Sequence, residues 1–315
     1  MRSADARGLR PALAAAAAVI LIATGCGGGT TVPLPDLPDP EYGGGDFVQV
    51  LRFQDLDRGY TLHVPATARV EVPAPLLIVL HGAGQDAAGI RQLAGVETVT
   101  DPAGWIVVYP GGYADSWAIG TATPADQRGV DDVEFIRRML DRIEADLNID
   151  GERVFAAGLS NGSLMTHRLA CELAARIRGI ASVAGTMLAD LAGACSPGRH
   201  VAALFFHGDD DTFFPWDGWT ARDGTEFLGA EAMASWWASE NGCGTPTRTD
   251  LPDVADDGTT VERVDFAGCA AGAGVRLFAI HGGGHTWPGQ GGIGRTSLDI
   301  DANEEIVSFF SALDS

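Results

Sequence analysis

The chain has 315 residues, 46% of them apolar, and a formal net charge of −21. That apolar content suffices for one large core or two small ones, and the acidity speaks against nucleic-acid binding and polyanionic substrates. All 21 basic residues are arginine, and without lysine there can be no Ser–Lys dyad, Schiff-base lysine or Walker phosphate loop.

Arg2, Arg7 and Arg10 precede an apolar stretch from Leu13 to Ala23 that is short for a membrane span. It ends in Leu21-Ile22-Ala23-Thr24-Gly25-Cys26, which resembles a lipobox, where cleavage before Cys26 leaves a diacylglycerol on its thiol. Ordinary signal-peptide cleavage is the alternative. Residues 1–25 are thus expected to be a lipoprotein signal peptide, 26–45 a Gly/Pro-rich tether and 46–315 one folded domain. That domain would sit outside the cytoplasm, membrane-anchored through Cys26 or secreted. Cys171, Cys195, Cys243 and Cys269 remain, an even number suited to an oxidising compartment. Three pairings are possible, and the two local closures, Cys171–Cys195 and Cys243–Cys269, are preferred, each worth roughly 3–4 kcal/mol in the chain-entropy model. No C-x-x-C or H-E-x-x-H spacing occurs, so neither a metal nor a cofactor is expected.

Alternation over Phe47–Phe53 and Tyr60–Val64 predicts a hairpin joined by an acidic, Gly-containing turn. Leu76–Leu80 and Trp105–Tyr109 are continuous apolar runs, suited to parallel strands buried on both faces. Helical spacing runs from Gly129 to Leu147, with Asp131 and Asp132 at its start. Strands are then predicted at Arg153–Ala157, Ile180–Ala184, Val201–Phe206 and Val275–Ile280, with a closing helix over Asn303–Leu313. The alternation implies an α/β fold with a mostly parallel, doubly wound sheet. Asp209–Pro252, rich in aromatics and glycine, reads as an excursion over the active-site edge.

Gly158-Leu159-Ser160-Asn161-Gly162 lies between a predicted strand and a predicted helix. A turn that tight needs glycine at both flanks, lifts the serine hydroxyl off the sheet and sets it at a helix N-terminus. A serine hydroxyl needs a base, and the base an orienting acid. Two strand ends supply candidates: His207-Gly208-Asp209-Asp210-Asp211, and His281-Gly282-Gly283-Gly284-His285. His285 is the expected base, with His281 bonding locally; position alone does not choose among the three aspartates. Backbone N–H groups of Asn161 and Ala83 are the expected oxyanion hole, with His81 structural. Trp117, Trp216, Trp219 and Trp287 are candidate platforms for a ring or chain, Trp287 and Trp117 being taken as substrate-binding.

Leu80-His81-Gly82-Ala83-Gly84-Gln85, the Ser160 elbow, Leu169-Ala170-Cys171-Glu172, His207-Gly208 with Asp211 and Pro215, and Gly283-Gly284-His285-Thr286-Trp287-Pro288-Gly289 occur in that order. Together they resemble the polyhydroxybutyrate depolymerase and feruloyl esterase group of secreted α/β-hydrolases, from about Phe47 to the C-terminus. The resemblance implies an α/β-hydrolase catalytic domain over 46–315 and selects Asp211 as the acid and His285 as the base. The chain departs from the group at Ala83, often cysteine there, at Ser163, often glycine, and at Asp209 and Asp210, often small. The added acidity is expected to raise the Asp211 pKa or repel anionic substrates.

The expected function is a serine esterase acting on hydroxyalkanoate oligomers, feruloyl or acetyl esters through an acyl-enzyme on Ser160. A serine peptidase on the same fold, or a non-catalytic glycan- or polymer-binding lipoprotein, are the alternatives.

Overall fold

The computed structural model describes residues 44–314 except 271. The signal segment, Cys26 and nearly all of the tether lie outside the described residues. The chain opens with strands β1 (Gly45–Phe53) and β2 (Leu56–Val64), then β3 (Ala74–Leu80), helices α1 (Ala87–Ala94) and α2 (Glu97–Ala103), and β4 (Ile106–Pro110). Next come α3 (Pro124–Arg128), α4 (Asp132–Asp146), β5 (Ile149–Leu159), α5 (Asn161–Glu172), β6 (Gly179–Val183), α6 (Ala189–Ala194) and β7 (Ala202–Gly208). The remainder is β8 (Gly218–Thr220), β9 (Glu226–Leu228), α7 (Ala230–Glu240), β10 (Pro246–Asp250), β11 (Thr260–Phe266), β12 (Val275–His281), β13 (His285–Trp287), β14 (Gly291–Ile293) and α8 (Ala302–Ser311).

Ten strands form one sheet in the order β1-β2-β4-β3-β5-β6-β7-β12-β11-β10. The run from β4 to β12 is parallel throughout, and β1, β2, β11 and β10 pair antiparallel at the two edges. Strand β3 shows how the layers arise: Leu76, Ile78 and Leu80 face α4, α5 and α7, while Leu77 and Val79 face α1 and α8. Both faces are covered, so the central strands are continuously apolar. This is the doubly wound α/β-hydrolase sheet expected from the sequence, and its parallel strands all end on the edge that carries Ser160.

Two expectations are corrected. The first hairpin turns at Gln54-Asp55, both at positive φ (50° and 59°), so the turn is shorter than expected and Leu56 to Gly59, read as part of it, belong to β2. A two-residue left-handed turn matches the strand twist and needs no glycine loop. Asp131 and Asp132 stand at the start of α4, as expected; Asp132 is also buried, 2.6 Å from the buried Arg58 guanidinium, and accepts the Ala118 N–H at 2.7 Å. Asp131 alone caps α4, accepting the Glu134 N–H. The stretch Asp209–Pro252 is only partly an excursion: α7 buries Met233 and Trp237 in the core, and β10 joins the main sheet.

Candidate active site

Strand β5 and helix α5 meet at Ser160, whose backbone (φ 57°, ψ −119°) is strained for a residue with a side chain. The sheet and helix hold it there. A Cβ at Gly158 would strike the Gly162 carbonyl, and one at Gly162 would strike the carbonyls of Leu80 and His81, so both flanks must be glycine. The Ser160 N–H donates to the Val183 carbonyl at 3.0 Å, tying the turn to β6. Ser163, just behind, shares a buried 2.5 Å hydrogen bond with Ser182, which occupies the space glycine would leave.

The loops after β7 and β12 bring a carboxylate to an imidazole. His285 Nδ1 lies 2.8 Å from Asp211 Oδ2, both side chains almost wholly buried. The other Asp211 oxygen accepts the N–H groups of Phe213 (2.8 Å) and Phe214 (3.0 Å). Burial pushes the Asp211 carboxyl up, but the His285 bond and charge and the two N–H donors more than offset it, holding it below the usual carboxylate range. The expected upward shift from its acidic neighbours is therefore overturned. Those carboxylates are spent elsewhere: Asp209 holds His281 Nδ1 (2.9 Å) and the Gly282 N–H (2.6 Å), and Asp210 faces Arg295 at 3.6 Å. Of the three aspartates, Asp211 alone reaches His285. His281 bonds locally, as expected.

His81 is buried, and its two ring nitrogens fix the loop after β3. Its Nε2 accepts the Gly112 N–H at 2.8 Å, so Nδ1 carries the proton and donates to the Gly82 carbonyl at 2.8 Å. Burial holds this imidazole below its ordinary pKa, consistent with a neutral ring. The loop rests against Ser160: a Cβ on Gly82 would lie 3.3 Å from the Ser160 Cβ. Asn161 ties its side chain to the Trp117 backbone, accepting the Trp117 N–H at 2.7 Å. Neither the Ala83 nor the Asn161 N–H donates to another group among the described residues, which leaves both available to an oxyanion.

Ser160, His285, Gly82 and Ala83 line one cleft of about 150 Å³, closed by Gln85, Leu93, Leu159, Gly292 and Ile293. Leu93, Gly292 and Ile293 were missed in the sequence, since they come from α1 and the β13–β14 hairpin and carry no motif. The half-exposed Phe213 was also missed; its ring centroid lies 4.8 Å from that of His285. A larger groove of about 490 Å³ beside His281 and Asp256 contains no serine or cysteine.

Two tryptophans expected to bind substrate are corrected. Trp117 is fully buried and its indole N–H donates to the His81 carbonyl. Trp287 is fully buried too, donating to Asn303. Both brace the site from below and cannot touch a ligand. Cys171 is bonded to Cys195, and Cys243 to Cys269. No His, Cys, Asp and Glu cluster among the described residues could hold a metal ion.

A family model described as Esterase PHB depolymerase matches residues 58–198, spanning Ala83 and Ser160 but ending before Asp211 and His285. A putative esterase, NocK, of Nocardia uniformis subsp. tsuyamanensis is 30% identical, over 93% of this chain and 96% of its own length. The probable feruloyl esterase C of Aspergillus niger is 28% identical, over 72% of this chain and 76% of its own. In three dimensions, the acetyl xylan esterase from Aspergillus awamori aligns with a TM-score of 0.58 at 14% identity, covering 84% of this chain and 99% of that one. That last likeness is one of fold.

Proposed function

The chain belongs to the PHB depolymerase family of esterases and is a carboxylic ester hydrolase, and from that premise we propose that it works through an acyl-enzyme on Ser160. The observation that carries the reading is the meeting of Ser160, on its strained turn, with the Asp211-held His285 in one cleft. With Nδ1 donating to Asp211, the free Nε2 of His285 is the acceptor that faces the chemistry.

The Ser160 oxygen attacks the ester carbonyl as its proton passes to His285 Nε2. The charge that develops on the carbonyl oxygen is met by the Ala83 and Asn161 N–H groups. Collapse breaks the bond to the alcohol oxygen, which takes the proton from His285 and leaves the acyl group on Ser160. Water then adds by the same route, with His285 again the base, and releases the carboxylic acid. Asp211 keeps its charge throughout, orienting the imidazole and stabilising its protonated form.

The substrates we assign are esters of hydroxyalkanoate oligomers, ferulate or acetate, supported by the names of the relatives. We place the catalytic domain, 46–315, outside the cytoplasm, a reading supported by its two disulfides. A diacylglycerol on Cys26 would anchor it; among the described residues no helix is long and apolar enough to cross a membrane. Hydrolysis of p-nitrophenyl butyrate tests the reading: the chain should turn it over, and Ser160→Ala should lose at least about 1,000-fold in kcat. Full activity in Ser160→Ala would end it.

A further inference from the structure

Phe213 leaves its ring 50% exposed beside the buried His285 imidazole, centroids 4.8 Å apart at 39°. Its backbone is pinned. Its own N–H and that of Phe214 donate to Asp211, and the Phe214 carbonyl accepts from buried His207 Nε2 at 2.7 Å. The backbone is therefore fixed, and the ring stands half in water next to the His285 imidazole, an apolar face left open beside it. Phe213 is not among the residues that line the serine cleft; it flanks the imidazole outside it. From there the aromatic contacts continue outward: Phe214 stands 6.0 Å from His285, Phe227 5.7 Å from Phe214, and Trp219 stacks on Phe227 at 4.7 Å with an angle of 4°. Trp219 is 39% exposed.

In acyl transfer the imidazole returns its proton to the departing alcohol, so the alcohol half of the ester must lie against His285. The acyl half is left to the small cleft that Ala83 and Leu93 line beside Ser160. We infer that Phe213 is the floor of an alcohol-side subsite that selects alcohols presenting a flat apolar face. The ring carbons of a pyranose and an aryl ring share that face, and both stack on aromatic side chains. The inference rests on the acyl-enzyme reading above.

The test holds the acyl group constant and varies the alcohol: ethyl acetate, benzyl acetate and a 6-O-acetylated methyl glucoside. The protein should prefer a ring alcohol over ethyl by about tenfold or more in kcat/KM, and Phe213→Ala should erase most of that preference. Phe213→Tyr should restore it. The effect should fall on acylation and spare deacylation, because all three esters give the same acetyl-enzyme. Loss confined to the glucoside identifies a sugar alcohol, and loss confined to the benzyl ester an aryl one. A preference that survives Phe213→Ala, or a fall in acylation and deacylation alike, would overturn the inference, the latter by showing that Phe213 merely props His285. Failure of the unmodified protein to hydrolyse any of the esters would instead sink the catalytic reading on which the subsite depends.

Discussion

Asp211 serves two partners with one carboxylate: one oxygen fixes the His285 tautomer, the other fixes the Phe213–Phe214 turn. Asp211→Asn keeps an acceptor for the turn but presents His285 with an amide, which favours the wrong tautomer. Its kcat should fall about 10⁴-fold while its melting temperature changes little; a parallel loss of both would show that the residue is chiefly structural. The depressed pKa carries a sign. The carboxylate contributes stability that is present above its unfolded value of about 3.9 and is lost as pH falls through the lower folded one. Asp211 therefore stays ionised at neutral pH.

At the level of elements, the two turns that deliver Asp211 and His285 are laced together. The Asp209 N–H donates to the Ile280 carbonyl and the Asp210 N–H to that of Gly283, while the Asp209 side chain holds both His281 and the Gly282 N–H. Asp209→Ala should displace the turn that leads to His285 and lower kcat by about 10- to 100-fold with little change in KM. Asp210→Ala, at a carboxylate 66% exposed and 3.6 Å from Arg295, should fall within twofold of the parent. Equal effects from the two would refute this division of labour. The elbow and the two strand-end clusters could be read from the chain because tight turns demand glycine at fixed offsets and ligand sites in such sheets lie at strand ends. Trp117 and Trp287 were misread because an indole looks the same in a sequence whether its N–H meets a buried carbonyl or a ligand. Strand β10, Pro246–Asp250, has every residue exposed and so shows no apolar alternation. Its place in the sheet comes from pairing with β11 alone.

Across the whole molecule, one charged knot joins the first hairpin to the helices that follow it. His63 on β2 lies 2.6 Å from Asp46 on β1 and 2.9 Å from Asp101 in α2, and Arg91 of α1 reaches Asp46 and Glu97. Burial alone would push the His63 imidazole down, but its bonds to Asp46 and Asp101 outweigh that and raise it above its ordinary value. Its contribution is therefore full below about pH 6.5 and is lost as pH rises through the higher folded value. Melting temperatures of His63→Gln and the parent should differ most near pH 5.5 and converge at alkaline pH; a gap that widens with pH would contradict the sign. The disulfide between Cys171 and Cys195 ties the end of the elbow helix to α6. Replacing both cysteines with serine should cost about 3 kcal/mol in denaturant unfolding; an unchanged midpoint would show that packing alone holds α5.

The most direct measurement is mass spectrometry of the intact protein quenched during turnover of p-nitrophenyl butyrate, followed by peptide mapping. The expected result is one butyryl group on Ser160, absent from Ser160→Ala and accumulating in Asp211→Asn only as slowly as that variant turns over. Steady hydrolysis with no acylated Ser160 at any quench time, together with activity retained in Ser160→Ala, would contradict the account.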